Sequence, residues 1–308
     1  MFENKTLAFI GSGQMAEAMI AGLVGNNSVQ PEQIIAVGPR KERGQELAAR
    51  YAVRYTTDNL AAAREADIVV LGVKPQVMDD VLPAGDRSLA HCELVLSIAA
   101  GMPISYLVDL FDNTRVVRAM PNTPAKIGKG ITVWTATYEV GAQQKNQAQA
   151  ILKALGEEVF VEKEDYLDMA TALSGTGPAY IFIFLEAMVD AGVHMGFSRR
   201  IAEKLVLHTM LGSVEYAMAS GEHLATLRNQ VTSPGGTSAE ALYHIEKGGL
   251  RTVISRAIWA AYQRSVALGR GKKVSQRMNN GQAEEASGQN TDGQNTDEQN
   301  GVFDKDRF

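Results

Sequence analysis

The sequence predicts an α/β protein in which a parallel-sheet domain is followed by an all-helical domain. Short continuous apolar runs alternate with helical patterns up to about residue 163, which is typical of a parallel sheet covered by helices on both faces. After that point long helical patterns dominate and no strand-like run occurs. We therefore predict a sheet domain over 1–163, a helical domain over 164–270 and a polar tail over 271–308.

The apolar runs of the first part are short, which favours strands over helices. The predicted strands cover 6–10, 33–37, 68–73, 94–98, 115–120, 131–134 and 158–161. The segments between them show helical spacing of apolar residues, and the helices that this spacing predicts cover 16–23, 42–51, 104–110 and 141–155.

The second part contains only helical patterns, over 165–173, 178–195, 198–219, 238–247 and 252–268. Glycines at 196 and at 248–249 fit the left-handed position that ends many helices. Several of these helices carry apolar residues on more than one face, which exceeds what a five-helix monomer can bury. We therefore expect a subunit interface in this domain.

Composition narrows the class of protein. The chain of 308 residues is 45% hydrophobic and 21% charged, which is ordinary for a globular protein of two domains. The single cysteine, Cys92, excludes an internal disulfide, and with five scattered histidines it offers no set of metal ligands. We expect Cys92 to be a buried thiol rather than a nucleophile, and no metal site.

Two segments bear on location. Residues 1–6 lack the basic region and apolar core of a signal peptide. The most apolar helical pattern, over 179–195, carries Glu186, Asp190 and His194, which predicts a buried helix and not a membrane span. Together with the lone cysteine, these features predict a cytoplasmic protein.

The tail from about Gly271 is rich in Gln, Asn, Gly, Asp and Glu, and it repeats Gly-Gln-Asn-Thr-Asp at 288–292 and 293–297. Such a composition predicts disorder, because it cannot bury enough apolar surface to offset the entropy of ordering. Residues 281–308 hold all of the net charge of −5. The rest of the chain is formally neutral, so no basic field for nucleic acid is expected.

A glycine-rich turn follows the first predicted strand and opens a helix. It reads Gly11, Ser12, Gly13, Gln14, Met15 and Ala16, the pattern G-x-G-x-x-A. Gly11 permits the tight turn, Gly13 lets the backbone approach a pyrophosphate, and Ala16 lets the helix pack closely on the sheet. The pattern in this position predicts a Rossmann-type dinucleotide site; a merely tight strand-to-helix turn is the alternative.

The end of the second predicted strand helps to choose the dinucleotide. A site for NAD commonly places a carboxylate there for the ribose 2′-hydroxyl. This chain has Arg40 instead, with Lys41 and Arg43 nearby, and these cations suit a 2′-phosphate. NADPH is therefore favoured over NADH, with NADH use left open and a solvated basic helix start as the alternative.

Further polar and glycine residues follow other strands. Lys74, in Val73-Lys74-Pro75-Gln76, lies where ligands bind beyond the carboxyl ends of parallel strands. It can face the nicotinamide or ribose, or be a surface lysine. The turn Met120-Pro121-Asn122-Thr123-Pro124 is expected to shape the same cleft.

A second glycine-rich loop, Ser233-Pro234-Gly235-Gly236-Thr237-Ser238, precedes a predicted helix in the second domain. Its hydroxyls and backbone N–H groups at a helix N-terminus suit a small carboxylate. A capped turn between two helices is the alternative from this loop alone.

Several of these motifs resemble those of the pyrroline-5-carboxylate reductase family, from about residue 5 to residue 270. The resemblance rests on F-I-G-S-G-Q-M-A at 9–16, V-K-P-Q at 73–76, S-I-A-A-G at 97–101, R-A-M-P-N-T-P at 118–124, S-G-T-G-P-A-Y at 174–180 and V-T-S-P-G-G-T at 231–237. It implies a Rossmann domain, a helical dimerisation domain, interlocked homodimers that commonly form decamers, and reduction of the cyclic imine 1-pyrroline-5-carboxylate to L-proline.

The resemblance also implies the site residues. Substrate contacts fall to Ser233, Gly236, Thr237 and Ser238, with Glu164 where the family often has a glutamate near the active site. Cofactor contacts fall to residues 11–16, Asn59, Val73, Lys74, Pro75, Gln76, Ala99, Ala100 and Gly101. Position 238 is usually threonine, and its serine here retains the hydroxyl while losing the methyl that fixes its rotamer.

These residues suggest a mechanism. The loop would clamp the substrate carboxylate, positioning would supply most of the rate enhancement, and the Ser238 hydroxyl would serve the imine nitrogen. A β-hydroxyacid dehydrogenase is the nearest rival, but 175–185 contains none of the lysine or histidine that such chemistry uses. A non-catalytic NADP-binding regulator is the rival from another class.

Overall fold

A single eight-stranded sheet organises the first part of the chain. The computed structural model describes the backbone of residues 1–83 and 86–287 and the side chains of residues 1–83 and 86–269. The strands are β1 (Leu7–Ile10), β2 (Ile34–Val37), β3 (Arg54–Thr56), β4 (Ile68–Leu71), β5 (Leu94–Ser97), β6 (Val116–Met120), β7 (Gly130–Ala136) and β8 (Gly156–Phe160).

The strand order is β3-β2-β1-β4-β5-β6-β7-β8. Strands β2 and β3 therefore lie on one side of β1, and β4 to β8 lie on the other. All neighbouring pairs are parallel except β6 and β7, where Ala119 lies opposite Trp134 in an antiparallel register. The predicted parallel sheet is confirmed, with this one antiparallel pair near its end. The connection between these two strands holds only a short 3-10 turn, Thr123–Ile127, and a parallel pair needs a long crossover.

Two apolar cores cover the two faces of the sheet. On β1, Leu7 and Phe9 belong to one core, and Ala8 and Ile10 belong to the other. Successive side chains of a strand point to opposite faces, so an unbroken apolar run fills both layers. The helices around the sheet are α1 (Gln14–Gly25), α2 (Lys41–Tyr51), α3 (Asn59–Glu65), α4 (Ile104–Phe111) and α5 (Ala142–Lys153).

Helices alone follow β8 in the part of the chain that the structure describes. They are α6 (Asp165–Ala170), α7 (Gly177–His194), α8 (Arg199–Ser220), α9 (Leu224–Gln230), α10 (Thr237–Lys247) and α11 (Leu250–Ser287). A π-helical turn, Thr171–Gly175, joins α6 to α7. Helices α7 and α8 pack together through Val189, Ala202 and Val206.

The composition predicted that the helix over 179–195 would be buried, but in the structure most of its residues are accessible. In α7 only Val189 and Gly192 are buried, while Phe182 is 61% and Ile183 67% exposed. The helix carries apolar residues on more than one face, and α8 packs against only one of them. Residues Asp165–His194 are long and apolar enough, by length and composition, to cross a membrane.

The helix α11 extends beyond the predicted start of the tail. Its backbone is helical to Ser287, whereas the composition predicted disorder from Gly271. The composition argument concerns burial, and a helix also draws on local propensity, which Ala, Glu, Gln, Lys and Arg supply. The remainder of the predicted tail, 288–308, lies outside the described residues.

Candidate cofactor and substrate sites

The turn between β1 and α1 has a shape that only glycine can form at its first position. Gly11 has a φ of +91°, and a Cβ there would lie 2.7 Å from the backbone nitrogen of Val73. The N–H groups of Gly11 and Ser12 both donate to the carbonyl of Val37, at 2.9 Å. The turn therefore packs closely between β2 and the segment after β4, and it is tight at Gly11 as predicted.

The same turn leaves an open helix N-terminus. Gly13 caps α1 in an extended conformation without any side-chain hydrogen bond. A Cβ at Gly13 would meet only the carbonyl oxygen of Gly11, at 4.0 Å. Backbone N–H groups in the first turn of a helix have no partners within it, so the N–H groups of Gln14, Met15 and Ala16 have no acceptor inside α1. A pyrophosphate fits this cradle.

The cationic residues after β2 differ in whether their side chains already have partners. Arg43 donates from Nη1 to Glu46 at 2.8 Å, and it pairs with Glu17 of α1. Its Nε also donates to the carbonyl of Ser12 at 3.4 Å. Arg40 is exposed; its backbone carbonyl accepts from the Gly44 N–H at 3.2 Å, but its side chain has neither an ion pair nor a hydrogen bond within the described part of the chain. Arg43 therefore holds the turn in place, while the side chains of Arg40 and Lys41 are exposed beside it.

Glu17 of α1 is the carboxylate that holds Arg43 in place. Burial alone would raise the pKa of Glu17, but hydrogen bonds from Arg43, Arg50 and Tyr51 hold it below its ordinary value. The hydrogen bond to Glu17 also raises the pKa of Arg43. Both groups are thus charged near neutral pH, and α1 and α2 are joined beside the turn.

The other predicted cofactor residues follow neighbouring strands. Val73, Lys74, Pro75 and Gln76 follow β4 after one intervening residue, and Ala99, Ala100 and Gly101 follow β5 after one intervening residue. Strands β1, β4 and β5 are adjacent and parallel, so these segments lie at the same edge as the glycine turn. Lys74 is exposed.

Asn59 begins α3, one residue after the cap Asp58. Its Nδ2 donates to the carbonyl of Val81 at 2.8 Å, so this amide fixes the segment after β4. The structure thus gives Asn59 a bracing contact, while its contact with a cofactor stays a prediction.

The loop of the second part has the geometry of an open helix start. Gly236 caps α10 with an extended backbone, and its N–H donates to the carbonyl of Ser233 at 3.0 Å. A Cβ at Gly236 would lie 2.8 Å from the Ser233 Oγ, so a larger residue would displace that hydroxyl. Thr237 is exposed and Ser238 half-buried in the first turn of α10.

Glu164 lies in a different environment from this loop. Its Oε1 accepts hydrogen bonds from the Arg118 Nη1 at 2.7 Å and from the Ile104 backbone N–H at 2.8 Å. Arg118 is 4% exposed. Sequence reasoning placed Arg118 only within a strand, although a charged residue inside an apolar run was a usable signal for a buried ion pair.

Asn122 is a second residue whose part the sequence did not reveal. Its Oδ1 accepts from the Ile131 N–H at 3.0 Å, and its Nδ2 donates to the carbonyl of Ser174 at 3.2 Å. A Cβ at Gly175 would lie 2.7 Å from the Met120 Cε. The turn after β6 is therefore seated directly on the π-helical turn.

The Cys92 thiol and the possible metal ligands were the remaining groups to consider. Burial raises the pKa of the Cys92 thiol to about 12, so it is not a thiolate near neutral pH. Among the residues whose side chains are described, no three His, Cys, Asp or Glu side chains come together as metal ligands.

A doubly wound sheet with a glycine turn after its first strand, followed by helices, is typical of dinucleotide-dependent oxidoreductases. Residues 164–268 match the family described as pyrroline-5-carboxylate reductase dimerisation, and residues 6–101 match NADP oxidoreductase coenzyme F420-dependent. A pyrroline-5-carboxylate reductase of Synechocystis sp. is 42% identical over 264 residues, covering 86% of this chain and 98% of the relative.

Solved structures agree with that match. The pyrroline carboxylate reductase of Plasmodium falciparum with NADP bound has a TM-score of 0.77 at 33% identity, covering 87% of this chain and all of that one. A pyrroline-5-carboxylate reductase from Coxiella burnetii has a TM-score of 0.76 at 34% identity, covering 86% and 98%. This chain belongs to the pyrroline-5-carboxylate reductase family.

Proposed function

We propose that this protein reduces the cyclic imine 1-pyrroline-5-carboxylate to L-proline, the last step of proline biosynthesis, with NAD(P)H. The observation that carries the proposal is the near full-length identity of 42% to a pyrroline-5-carboxylate reductase. The open helix N-terminus at Gly13 and the hydroxyl-bearing loop before α10 supply a nucleotide cradle and a carboxylate cradle on one chain.

The cofactor of the proposed reaction is NADPH, with NADH a possible substitute. Residues 11–16 would hold the pyrophosphate, and Arg40 the 2′-phosphate. The remaining cofactor contacts are proposed for Asn59, Val73, Lys74, Pro75, Gln76, Ala99, Ala100 and Gly101. When bound, the cofactor supplies the hydride. The chain's own residues orient the two reactants, which is the main source of rate in such chemistry.

The substrate carboxylate would lie on the N–H groups at the start of α10, where the helix dipole and the Ser233 hydroxyl favour an anion. Gly236 and Thr237 belong to the same cradle. Glu164 is retained as a proposed residue near the substrate, although its described contacts are with Arg118 and Ile104.

Ser238 is the proposed proton-bearing residue. Reduction of a C=N bond leaves a nitrogen that needs a hydrogen-bond donor or a proton, and a hydroxyl in the first turn of α10 can provide it. The half-buried position of Ser238 leaves that hydroxyl accessible to a small ligand or to a water that relays the proton. No strongly basic residue is required.

The active form is proposed to be a homodimer, assembled further into a decamer. The family matched by residues 164–268 is described as a dimerisation family, and the exposed apolar faces of α7 and α8 need a cover. We also propose the division into 1–163, 164–270 and a tail, a cytoplasmic location, and no partnership with nucleic acid or membrane.

One assay tests the proposed function. Purified protein is mixed with NADPH and pyrroline-5-carboxylate, and the loss of NADPH absorbance is followed, with parallel runs using NADH or using a 3-hydroxy acid with NADP⁺. We expect NADPH to be oxidised with the imine acid, together with formation of proline. We expect no reduction of NADP⁺ with the hydroxy acid. Turnover of the hydroxy acid instead, or no turnover with either, would contradict the proposal.

A further inference from the structure

Arg118 is a buried cation that joins the sheet to the helices. It lies on β6, where it pairs in register with Ser97 of β5 and Thr135 of β7. Its guanidinium approaches Glu164 at 2.7 Å and Asp168 of α6 at 3.6 Å, while its side chain is 5% exposed. A guanidinium this buried is tolerated because two carboxylates face it.

Glu164 links Arg118 to the segment after β5. The same Oε1 that accepts from Arg118 also accepts from the N–H of Ile104, the first residue of α4. Pro103, the cap of α4, has no N–H of its own, so the carboxylate satisfies the first free donor of that helix. The residues immediately before it, 99–102, include the proposed cofactor contacts at Ala99, Ala100 and Gly101.

Helix α11 of the helical part also packs against residues 99–104. Ser265 of α11 donates to the Asp168 Oδ1 at 2.7 Å. A Cβ at Gly101 would lie 3.2 Å from the Leu268 Cβ, so α11 packs directly over this glycine. Between these contacts lies a cleft of about 290 Å³, whose lining includes Pro103, Arg118, Glu164 and Asp168.

We infer that Arg118 is a positioning residue for hydride transfer. Acting through Glu164, it fixes residues 99–104 against α6 and α11, and thereby sets the backbone that borders the proposed nicotinamide position. The inference rests on the proposed function. Small displacements near a reacting atom are costly in rate, whereas the substrate loop before α10 makes no described hydrogen bond to this cluster.

The first test needs no substrate or cofactor. Hydrogen exchange of peptides covering 99–107 is measured in wild type, Arg118→Met, Arg118→Lys and Glu164→Gln, with Arg54→Met as the control. Arg54 pairs with Glu65 at the surface, both about half exposed, and lies on β3. We expect faster exchange in Arg118→Met and Glu164→Gln, a smaller change in Arg118→Lys, and none in Arg54→Met.

The second test uses the assay of the proposed function. We expect kcat to fall about 10- to 100-fold in Arg118→Met, with partial recovery in Arg118→Lys and little change in KM for pyrroline-5-carboxylate. The kinetic isotope effect on kcat with 4-deuterated NADPH should rise, because hydride transfer becomes slower. Should Arg118→Met fail to fold, Glu164→Gln carries the same comparison.

The outcomes separate the two proposals. Wild type without turnover contradicts the proposed function, whatever the exchange data show. If wild type is active, and the variants exchange faster but keep kcat and the isotope effect, Arg118 is only structural and the inference is overturned. A rise confined to KM for pyrroline-5-carboxylate in Glu164→Gln, without faster exchange, would equally overturn it and make Glu164 a substrate ligand.

Discussion

Ser238 is the residue on which the proposed proton delivery depends. Replacing Ser238 by Ala removes the hydroxyl while the helix start is kept, so kcat and kcat/KM should fall together by about 100-fold or more. Steady-state kinetics with both substrates varied would measure this. Ser238→Thr, which keeps the hydroxyl, is the control and should stay near wild type. Wild-type turnover in Ser238→Ala would remove its assigned role.

Arg40 and Arg43 make a second test at this scale, because the structure separates them. The Arg40 side chain is exposed and makes no described ion pair or hydrogen bond, whereas that of Arg43 is held by Glu17. Arg40→Ala should raise KM for NADPH about tenfold or more, since a charge-assisted hydrogen bond is lost, and leave NADH little affected. Arg43→Ala should instead weaken both cofactors and lower Tm. An equal effect of Arg40→Ala on both cofactors would contradict the 2′-phosphate assignment.

The sequence could predict the types of these residues but not their partners. The sequence favoured Arg40 for the 2′-phosphate but left Lys41 and Arg43 open as further candidates, because the carboxylate that engages Arg43 belongs to Glu17, on another helix. The pairing of Arg118 with Glu164 spans 46 positions in the chain. Only the folded chain reveals which cations are already neutralised and which remain available.

At the scale of elements, the turn between β1 and α1 is defined by steric limits. Gly11→Ala would place a Cβ 2.7 Å from the Val73 nitrogen at a φ of +91°, with a strain of about 1–3 kcal/mol. We expect a lower Tm and weaker NADPH binding, measured by thermal unfolding and by titration of cofactor fluorescence. Gly25→Ala is the control, since nothing lies within 4 Å of its Cβ position. A variant at Gly11 as stable and as tightly binding as wild type would contradict the geometry.

Elements that are long or wholly apolar were predictable, and short polar ones were not. Strands β1, β2, β4 and β5 are buried throughout, and their unbroken apolar runs predicted them closely. Strand β3 contains only Arg-Tyr-Thr and lies at the edge of the sheet, with two of its three residues exposed. Helix α9 has no buried residue. Neither one leaves an apolar period for a sequence pattern to detect.

At the scale of the whole molecule, the exposed apolar faces of the helices require a partner surface. On α8, Leu207, Leu211, Val214 and Met218 are each more than half exposed and are spaced along one stripe of the helix. Leu211→Asp should shift the protein toward a monomer in analytical ultracentrifugation, with loss of activity. Tyr138→Asp, at a fully exposed position of the sheet domain, is the control. An unchanged sedimentation profile in Leu211→Asp would exclude this face from the interface.

The same faces show where prediction from sequence reached its limit. The apolar residues on several sides of α7 indicated a subunit interface, yet they also predicted a buried helix, because composition does not say which chain provides the cover. The juxtaposition of the segment after β5 with α11 was equally beyond sequence reasoning, since it depends on the path of the chain between the two parts.

Transfer of deuterium tests the central claim most directly. The protein is incubated with pyrroline-5-carboxylate and NADPH deuterated at the transferred position, and the proline formed is examined by mass spectrometry and NMR. We expect a single deuterium on the ring carbon that was double-bonded to nitrogen, because hydride passes directly to that carbon. Unlabelled proline, label at another carbon, or no proline at all would contradict the account.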